Sequence, residues 1–426
     1  MKKIVKLIWV VIFNIISVLY LLELLITFFL PSQVNSYIDL DYLRYQRAID
    51  LGIKFDKRTY YQAFYEEKKN EPALSPRYQF TSAYWSPIIF GSDNVYEKFI
   101  KTKMKNKNLI PLRGPINMKT LTCNESGIRK IANNDKYGFK NPNSIYKKKI
   151  KILLLGDSNT HGECEDENTD IAGFLRNKQK INTANYGISG GGPLLSLAAL
   201  TEYGDKLQPD NVIYFYSEEN DMQDLKKEKE IFLINYLGDF KQNLVNRKDE
   251  VKKFLDEHKE IAYNFHKEKL KSETSKFNLK ISEEIKKSQE NKSIEMIKDF
   301  LELQKLKKVF SSKSYYFNND NSIDSKLFTE VLLKMKSKTE ELNGNFIFVY
   351  LPSWTRFNSK YSLVKFLHKR KIEKIVKSLN INYIDIVKEF EKNEEPINYY
   401  PFGIRGHYTT EGYSLIATTI YNNILD

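Results

Sequence analysis

Residues 150–158 read IKILLLGDS, a nearly continuous apolar run that ends at a glycine and is followed by an aspartate and a serine. A short apolar run that stops at a turn residue is typical of a buried strand in a parallel sheet. We predict a strand over 150–155 that brings Ser158 to the carboxyl end of the sheet. In open α/β sheets, ligand-binding loops gather at that end.

Four further runs of this kind follow, at 181–186, 211–216, 345–351 and 381–386. Stretches with helical periodicity separate most of them, and this alternation is typical of βα units. The sequence therefore predicts an α/β fold with a five-stranded parallel sheet. One connection, about 224–341, is rich in lysine and glutamate and too long for a crossover, so we predict a helical insertion there.

The first thirty residues form a segment of a different character. An apolar run over 4–30 is roughly long enough to cross a bilayer as a helix, and no small-residue cleavage site follows it. We predict a transmembrane signal anchor over 1–30, with a buried helix of a soluble domain as the alternative. Lysines lie at its start and aspartates follow it, which predicts a cytoplasmic N-terminus and a periplasmic or extracellular main domain.

Two further segments complete the predicted organisation. Residues 31–148 form an aromatic, loop-rich, membrane-proximal region, and 149–426 form the sheet domain with its insertion. The net charge is +13, but the lysines are mixed with glutamates, as on solvated helix faces. Because no nucleic-acid-binding motif accompanies this charge, we predict no nucleic-acid partner.

The chain has two cysteines, Cys123 and Cys164, too few for a cysteine-rich zinc site. In an oxidising compartment an isolated pair forms a disulfide. Such a bond joins the segment TLTCNESG (120–127) to the loop after Ser158. Two free buried thiols are the alternative, and no metal or cofactor is predicted.

Acyl-transfer chemistry needs a nucleophile, a base beside it and donors for the developing oxyanion. Ser158 is placed at a strand end, and its backbone N–H, Gly190 in a glycine-rich turn and the Asn220 amide offer three donors at three strand ends. The chain has five histidines as candidates for the base. His258, His266 and His368 lie in lysine- and glutamate-rich helical stretches and are predicted to be surface residues.

His161 and His407 remain as candidates for the base. His161 lies one helical turn after Ser158, so its ring is expected to project along the helix, away from the leaving group. His407 lies in a loop after the fifth strand, and such a loop at the carboxyl end of the sheet leans over the nucleophile. His407 is therefore the predicted base.

Four segments lie at the predicted strand ends and in the C-terminal loop: GDSNT (156–160), NYGISGG (185–191), END (219–221) and GHYTTEGYSLIA (406–417). In their sequence and their order, these segments resemble the four conserved blocks of the SGNH/GDSL hydrolases. The resemblance covers roughly 149–225 and 345–425. The resemblance implies a flavodoxin-like three-layer α/β/α sandwich, with Ser158 as nucleophile, His407 as base, and Ser158, Gly190 and Asn220 forming the oxyanion hole.

Two positions depart from the family pattern. Ile404 lies where the family has an aspartate, three residues before the histidine, and Glu218 replaces a glycine in the third block. An orienting carboxylate fixes the tautomer of the base. We therefore consider Asp385 and Glu411 as substitutes; a backbone carbonyl behind His407, or a lost activity, are the alternatives.

A second serine competes for the role of nucleophile. Residues 187–191, GISGG, match the G-x-S-x-G pattern of α/β-hydrolases and also follow a strand. Glycines and a proline follow Ser189, however, where the helix after such a nucleophile begins. The sequence favours Ser158.

The resemblance implies ester chemistry. We expect a serine esterase or O-acyltransferase, with acetyl as the acyl group, acting on envelope or exported carbohydrate through an acyl-enzyme. The alternative is a catalytically degenerate domain that binds glycan or scaffolds an envelope acylation complex. A third possibility is an accessory partner of a multi-pass acyltransferase.

Overall fold

The computed structural model describes residues 2–29, 37–76, 109–257, 259–260, 262–264, 266–271, 298, 300–303, 324–357 and 362–425. The chain divides into two compact units. The first comprises Met1–Asp39 and Thr274–Ile323, and contains helix α1 (Lys2–Phe29). We predicted a membrane-spanning helix over 1–30. Among the described residues, however, no helix is both long enough and apolar enough to cross a membrane.

The second unit comprises Leu40–Glu273 and Asp324–Asp426. Its upstream part contains α2 (Tyr37–Asp50), α3 (Tyr60–Asn70) and an antiparallel pair, β1 (Lys119–Leu121) and β2 (Ile131–Asn133). Helix α3 begins with a capping box, in which the Thr59 side chain accepts from the Gln62 backbone.

A five-stranded parallel sheet forms the centre of this unit, as predicted. Its strands are β3 (Ile152–Gly156), β4 (Thr183–Asn185), β5 (Asn211–Ser217), β6 (Asn345–Leu351) and β7 (Asn382–Asp385). The spatial order is β4-β3-β5-β6-β7, and all four pairings are parallel. In chain order this is 2-1-3-4-5, the flavodoxin-like arrangement.

Helices cover both faces of the sheet, because alternate strand residues are apolar on each side. They are α4 (Ser158–His161), α5 (Ile171–Asn177), α6 (Pro193–Leu207), α7 (Asp221–Glu228), α8 (Ser325–Glu341), α9 (Trp354–Phe357), α10 (Ser362–Ser378), α11 (Ile386–Phe390) and α12 (Thr410–Leu425). One face packs against α5, α11 and α12, and the other against α6, α8 and α10. The result is a three-layer α/β/α sandwich.

The predicted insertion at 224–341 ends in a helix of the sandwich itself. Helix α8 buries Phe328, Val331 and Leu332 and contacts β6, so it belongs to the layer that covers the sheet. Upstream of it lie a 3₁₀ segment (Phe232–Leu237) and helical residues 248–257. Residues 272–297 and 304–323 of the predicted insertion lie outside the described residues.

The segment before β3 packs directly on the loops of the sheet. The buried Lys140 ammonium donates to the Gly162 carbonyl at 2.7 Å and pairs with Asp170 at 3.0 Å. The Asn141 amide donates to the Asn185 carbonyl at 2.9 Å. These contacts attach the upstream region to the carboxyl end of β3 and β4.

Candidate active site

Ser158 lies at the carboxyl end of the central strand, where the backbone turns sharply. Gly156 adopts a φ of +149°, and a Cβ at this position would come within 2.2 Å of Thr160 Oγ1 and 2.8 Å of the Phe215 carbonyl. Only glycine fits such a turn. The next residue, Asp157, caps α4 by accepting from the Asn159 backbone at 2.9 Å. Ser158 is therefore held, half-buried, at the first position of that helix.

His407 contacts Ser158 from the far end of the chain. The segment between α11 and α12 places His407 Nε2 at 2.9 Å from Ser158 Oγ. This separation is within hydrogen-bond range, so Nε2 is placed to accept the hydroxyl proton. The predicted nucleophile and the predicted base are thus brought together.

A carboxylate that the sequence prediction missed lies behind the base. Glu125 Oε2 is 3.1 Å from His407 Nδ1 and also accepts from the His407 backbone N–H at 2.6 Å. Glu125 follows β1 by four residues and is buried. Its carboxylate thereby fixes both the ring and the backbone of His407.

Neither of the predicted orienting carboxylates occupies this position. Asp385 caps α11 by accepting from the Val387 backbone and pairs with Lys369 at 2.5 Å. Glu411 is exposed in the first turn of α12. Both predictions are wrong because they sought the carboxylate downstream of the sheet, whereas it comes from the region upstream of β3.

The pKa values of the pair follow from this contact. Burial opposes ionisation of Glu125, but the charges of His407 and Arg44 outweigh it and lower the pKa of the carboxyl to about 2. For His407 the effects are reversed. Burial alone would lower its pKa, but the negative charges of Glu125, and then of Glu163 and Asp157, raise it above its ordinary value of 6.5. A carboxylate that stays ionised beside a more basic imidazole suits a base that must take a proton.

The predicted oxyanion donors follow the two strands that flank β3. Gly190 adopts a φ of +71° in the turn after β4. Asn220 follows β5, and its side-chain amide donates to Asp224 at 2.7 Å, which fixes the orientation of the amide. Since β4 and β5 both pair with β3, the two residues and Ser158 lie at adjacent strand ends.

The predicted disulfide is present. Cys123 and Cys164 are bonded across 41 residues, with their Cα atoms 4.6 Å apart. The bond joins the segment that carries Glu125 to the loop that follows Ser158. Sulfur, carboxylate and imidazole atoms of these cysteines, Glu125 and His407 lie within 4.8 Å of one another. They do not form a zinc site in this state, because a disulfide offers no thiolate ligands.

The remaining histidines have other surroundings. His161 is buried, and the Arg113 guanidinium lies 3.1 Å from its Nε2 and 3.3 Å from its Nδ1. His266, predicted at the surface, is buried against the rings of Tyr61 and Phe64, because it occupies an apolar helix position. His368, also predicted at the surface, is half-buried, with its Nε2 2.6 Å from Tyr216 Oη. His258 lies outside the described residues.

The second departure from the family pattern has a structural explanation. Glu218 is buried and forms an ion pair with Arg356. It also accepts from the Tyr350 hydroxyl at 2.7 Å and from the Ser353 backbone at 3.0 Å. Glu218 therefore joins the end of β5 to the segment after β6.

Comparisons with known proteins give matches only among solved structures. No family model matches the chain, and no curated protein matches it. A lipolytic protein of the G-D-S-L family from Desulfitobacterium hafniense is 12% identical, with a TM-score of 0.32 over 64% of this chain and 98% of that one. An acetyl xylan esterase is 11% identical, with a TM-score of 0.34 over 65% of this chain and 100% of that one.

A lipase/acylhydrolase from Enterococcus faecalis is 13% identical, with a TM-score of 0.33 over 64% of this chain and 94% of that one. By name, these three neighbours are a G-D-S-L lipolytic protein, an acetyl xylan esterase and a lipase/acylhydrolase. We base the functional interpretation on the contacts of Ser158, His407 and Glu125.

Proposed function

We propose that this chain is a serine-dependent ester hydrolase that works through an acyl-enzyme. The observation that carries the proposal is the continuous contact from Ser158 Oγ to His407 Nε2 at 2.9 Å and from His407 Nδ1 to Glu125 at 3.1 Å. A nucleophile, a base and an orienting carboxylate in this order are the geometry of acyl transfer.

The proposed reaction has two halves. In the first, His407 Nε2 takes the Ser158 proton as Oγ attacks the ester carbonyl, and the backbone N–H groups of Ser158 and Gly190 with the Asn220 amide stabilise the oxyanion. The imidazolium then gives the proton to the leaving alcohol. In the second half, His407 activates a water molecule, which attacks the acyl-enzyme and releases the acid and Ser158.

Glu125 holds the imidazole with Nδ1–H directed at the carboxylate, so that Nε2 is free to accept. Because the pKa of Glu125 is about 2, the carboxylate is charged throughout the working pH range and stabilises the imidazolium. The degenerate alternative rested on two departures from the family pattern, Ile404 and Glu218. Glu125 contacts His407 Nδ1, so a carboxylate lies behind the base although position 404 is an isoleucine.

The finer proposal concerns the substrate and the location. We propose an acetyl ester of envelope or exported carbohydrate, on the strength of the sequence blocks. The disulfide supports a location outside the cytoplasm, periplasmic or extracellular. Attachment through residues 1–30 stays a sequence prediction. A sugar hydroxyl in place of water would make the same acyl-enzyme an O-acyltransferase, and a multi-pass membrane acyltransferase is the partner that would supply its acyl group.

A fluorophosphonate probe tests the proposal, since it reacts with an activated serine. We expect the wild-type chain to be labelled and to release p-nitrophenol from p-nitrophenyl acetate. Ser158→Ala is expected to abolish both signals, while Ser189→Ala keeps them. An unlabelled, folded wild-type chain would refute the enzyme proposal, and loss of labelling in Ser189→Ala alone would move the nucleophile to Ser189.

An acetylated oligosaccharide then separates hydrolysis from transfer. Acetate release in water indicates an esterase. Mass spectrometry that finds the acetyl group on an added acceptor sugar indicates an acyltransferase.

A further inference from the structure

Arg44 is a buried arginine in α2, outside both stretches that carry the family resemblance. It is 3% exposed. Its Nη2 lies 2.6 Å from the Arg405 carbonyl oxygen and 3.2 Å from Glu125 Oε1, and its Nη1 donates to Asp41 at 2.9 Å. One guanidinium thus contacts both the carboxylate behind the base and the loop that carries the base.

We propose that Arg44 is a positioning residue of the active site, which acts on His407 through Glu125 and through the Arg405 carbonyl. The inference rests on the proposed function, because it assigns a role within that site. It extends the site to a helix upstream of every catalytic residue.

The two oxygens of Glu125 have separate partners, and this division is the first support for the proposal. Oε2 accepts from the backbone N–H of His407 and faces its Nδ1, while Oε1 faces Arg44. A carboxylate held at one oxygen only is free to swing about its terminal torsion. With both oxygens held by charged or N–H partners, the carboxylate keeps Oε2 directed at the ring.

The second support is the loop that carries His407. The Arg405 carbonyl lies two residues before His407 and accepts from Arg44. At the glycine between them, Gly406, a Cβ would come within 2.7 Å of Glu125 Oε2 and 2.9 Å of Arg44 Nη2. The backbone at this point therefore passes directly over the Arg44–Glu125 pair, so the pair determines where His407 lies.

The third support is the charge balance around the base. The carboxylates that act on His407 are Glu125, Glu163 and Asp157. Arg44 adds a positive charge against Glu125, and Asp41, itself near Arg129, partly balances Arg44. Removal of Arg44 leaves the carboxylates unopposed, so the pKa of His407 is expected to rise.

Four variants of the full chain test the inference: Arg44→Met, Arg44→Lys, Glu125→Gln and the double variant Arg44→Met/Glu125→Gln. Arg58→Met is the matched control, because Arg58 lies in the same upstream region and pairs with Asp56, Glu66 and Glu67 rather than with the carboxylate that contacts His407. The readouts are kcat and KM for p-nitrophenyl acetate over pH, with circular dichroism to establish folding.

We expect Arg44→Met to lower kcat by about 10- to 100-fold, as displaced catalytic groups do, with KM changed less than about twofold. The acidic limb of the pH profile of kcat is expected to move to higher pH, because the pKa of His407 rises. Arg44→Lys keeps the positive charge, so we expect the acidic limb of its pH profile to stay at the wild-type position. We expect a smaller decrease in kcat than in Arg44→Met, because an ammonium lacks the planar fork that reaches both acceptors. The double variant is expected to lose little more than Glu125→Gln alone, since Arg44 acts largely through Glu125.

Wild-type kcat and an unshifted pH limb in folded Arg44→Met would overturn the inference and leave the proposed function intact. If the fold-loss of kcat in the double variant equals the product of the losses in the two single variants, Arg44 does not act through Glu125 and that part of the inference is overturned. If Arg58→Met shows the same kcat loss and pH shift, the effect belongs to the upstream region as a whole and the inference fails. A wild-type chain without activity refutes the proposed function itself, so the two failures are distinguishable.

Discussion

Glu125→Gln is the substitution that tests the site most directly, because it keeps the shape of the side chain and removes its charge. The carboxylate forms two contacts with His407, at 2.6 Å to the backbone N–H and 3.1 Å to Nδ1. A hydrogen bond to a charged group contributes about 1.5–3 kcal/mol, and of the two contacts only the one with Nδ1 strengthens as the imidazolium forms, so its loss removes about 1.5–3 kcal/mol of transition-state stabilisation. This loss corresponds to a decrease in kcat of about 10- to 10²-fold.

The glutamine amide adds a second, larger loss of kcat, because it changes the tautomer of His407. An amide N–H that donates to Nδ1 selects the tautomer in which Nε2 carries the proton. That Nε2–H points at Ser158 Oγ and cannot accept from it. A triad with the wrong tautomer loses about four orders of magnitude in rate.

The pH dependence gives an independent readout of the same substitution. His407 acts when it is neutral, so activity rises with pH through its pKa, which lies above 6.5 in the wild-type chain. Without the charge of Glu125, burial lowers that pKa, and the acidic limb moves to lower pH. Arg44→Met is expected to move the limb in the opposite direction.

The assay is p-nitrophenyl acetate hydrolysis from pH 5 to 9, together with the rate of fluorophosphonate labelling. Glu411→Gln is the control, because Glu411 is exposed near His407 in sequence and is expected to keep wild-type rates. A folded Glu125→Gln variant within threefold of the wild-type kcat, with an unchanged acidic limb, would refute the assignment of Glu125 as the orienting carboxylate.

Three further outcomes follow from the site and its supports. Asn220→Ala is expected to lower kcat by about 10²- to 10³-fold, as loss of an oxyanion donor does, with little change in KM; equal kcat would remove Asn220 from the oxyanion hole. Replacement of both Cys123 and Cys164 by serine releases a 41-residue link and is expected to lower the free energy of unfolding by about 4 kcal/mol, measured by urea denaturation, and to lower kcat as well. Glu218→Gln leaves the buried Arg356 without its carboxylate and is expected to cost about 3–5 kcal/mol of unfolding free energy in the same assay; a loss below 1 kcal/mol would show that the ion pair contributes little.

The sheet was predictable from the sequence because each strand is a short apolar run with its own turn signal. All five strands lie within about two residues of the predicted bounds, for example β5 at Asn211–Ser217 against 211–216. Ser158 was predictable because it lies at a recognisable strand end. His407 was predictable because it lies in the block GHYTTEGYSLIA, downstream of the last strand. Helix α8 was misjudged because its lysines and glutamates obscured an apolar face that covers β6.

Glu125 was not predictable from local pattern, because no strand end or helix periodicity marks it. Glu125 and His407 are 282 residues apart in the sequence and come into contact only in the folded structure. One signal was present, however. The predicted disulfide already brought the segment 120–127 to the loop after Ser158, and Glu125 lies two residues beyond Cys123 in that segment.

Because Glu125 lies upstream of β3, the proposed catalytic residues come from two separate stretches of the chain. A fragment that begins at residue 149 would keep the nucleophile, the base and the whole sheet, and would lack the acid and the arginine behind it. Exchange of the upstream segment between related chains would therefore change the rate of acyl transfer and leave the strand-end loops of the sheet as they are. In this protein the proposed orienting carboxylate and those loops are encoded in different stretches of one polypeptide.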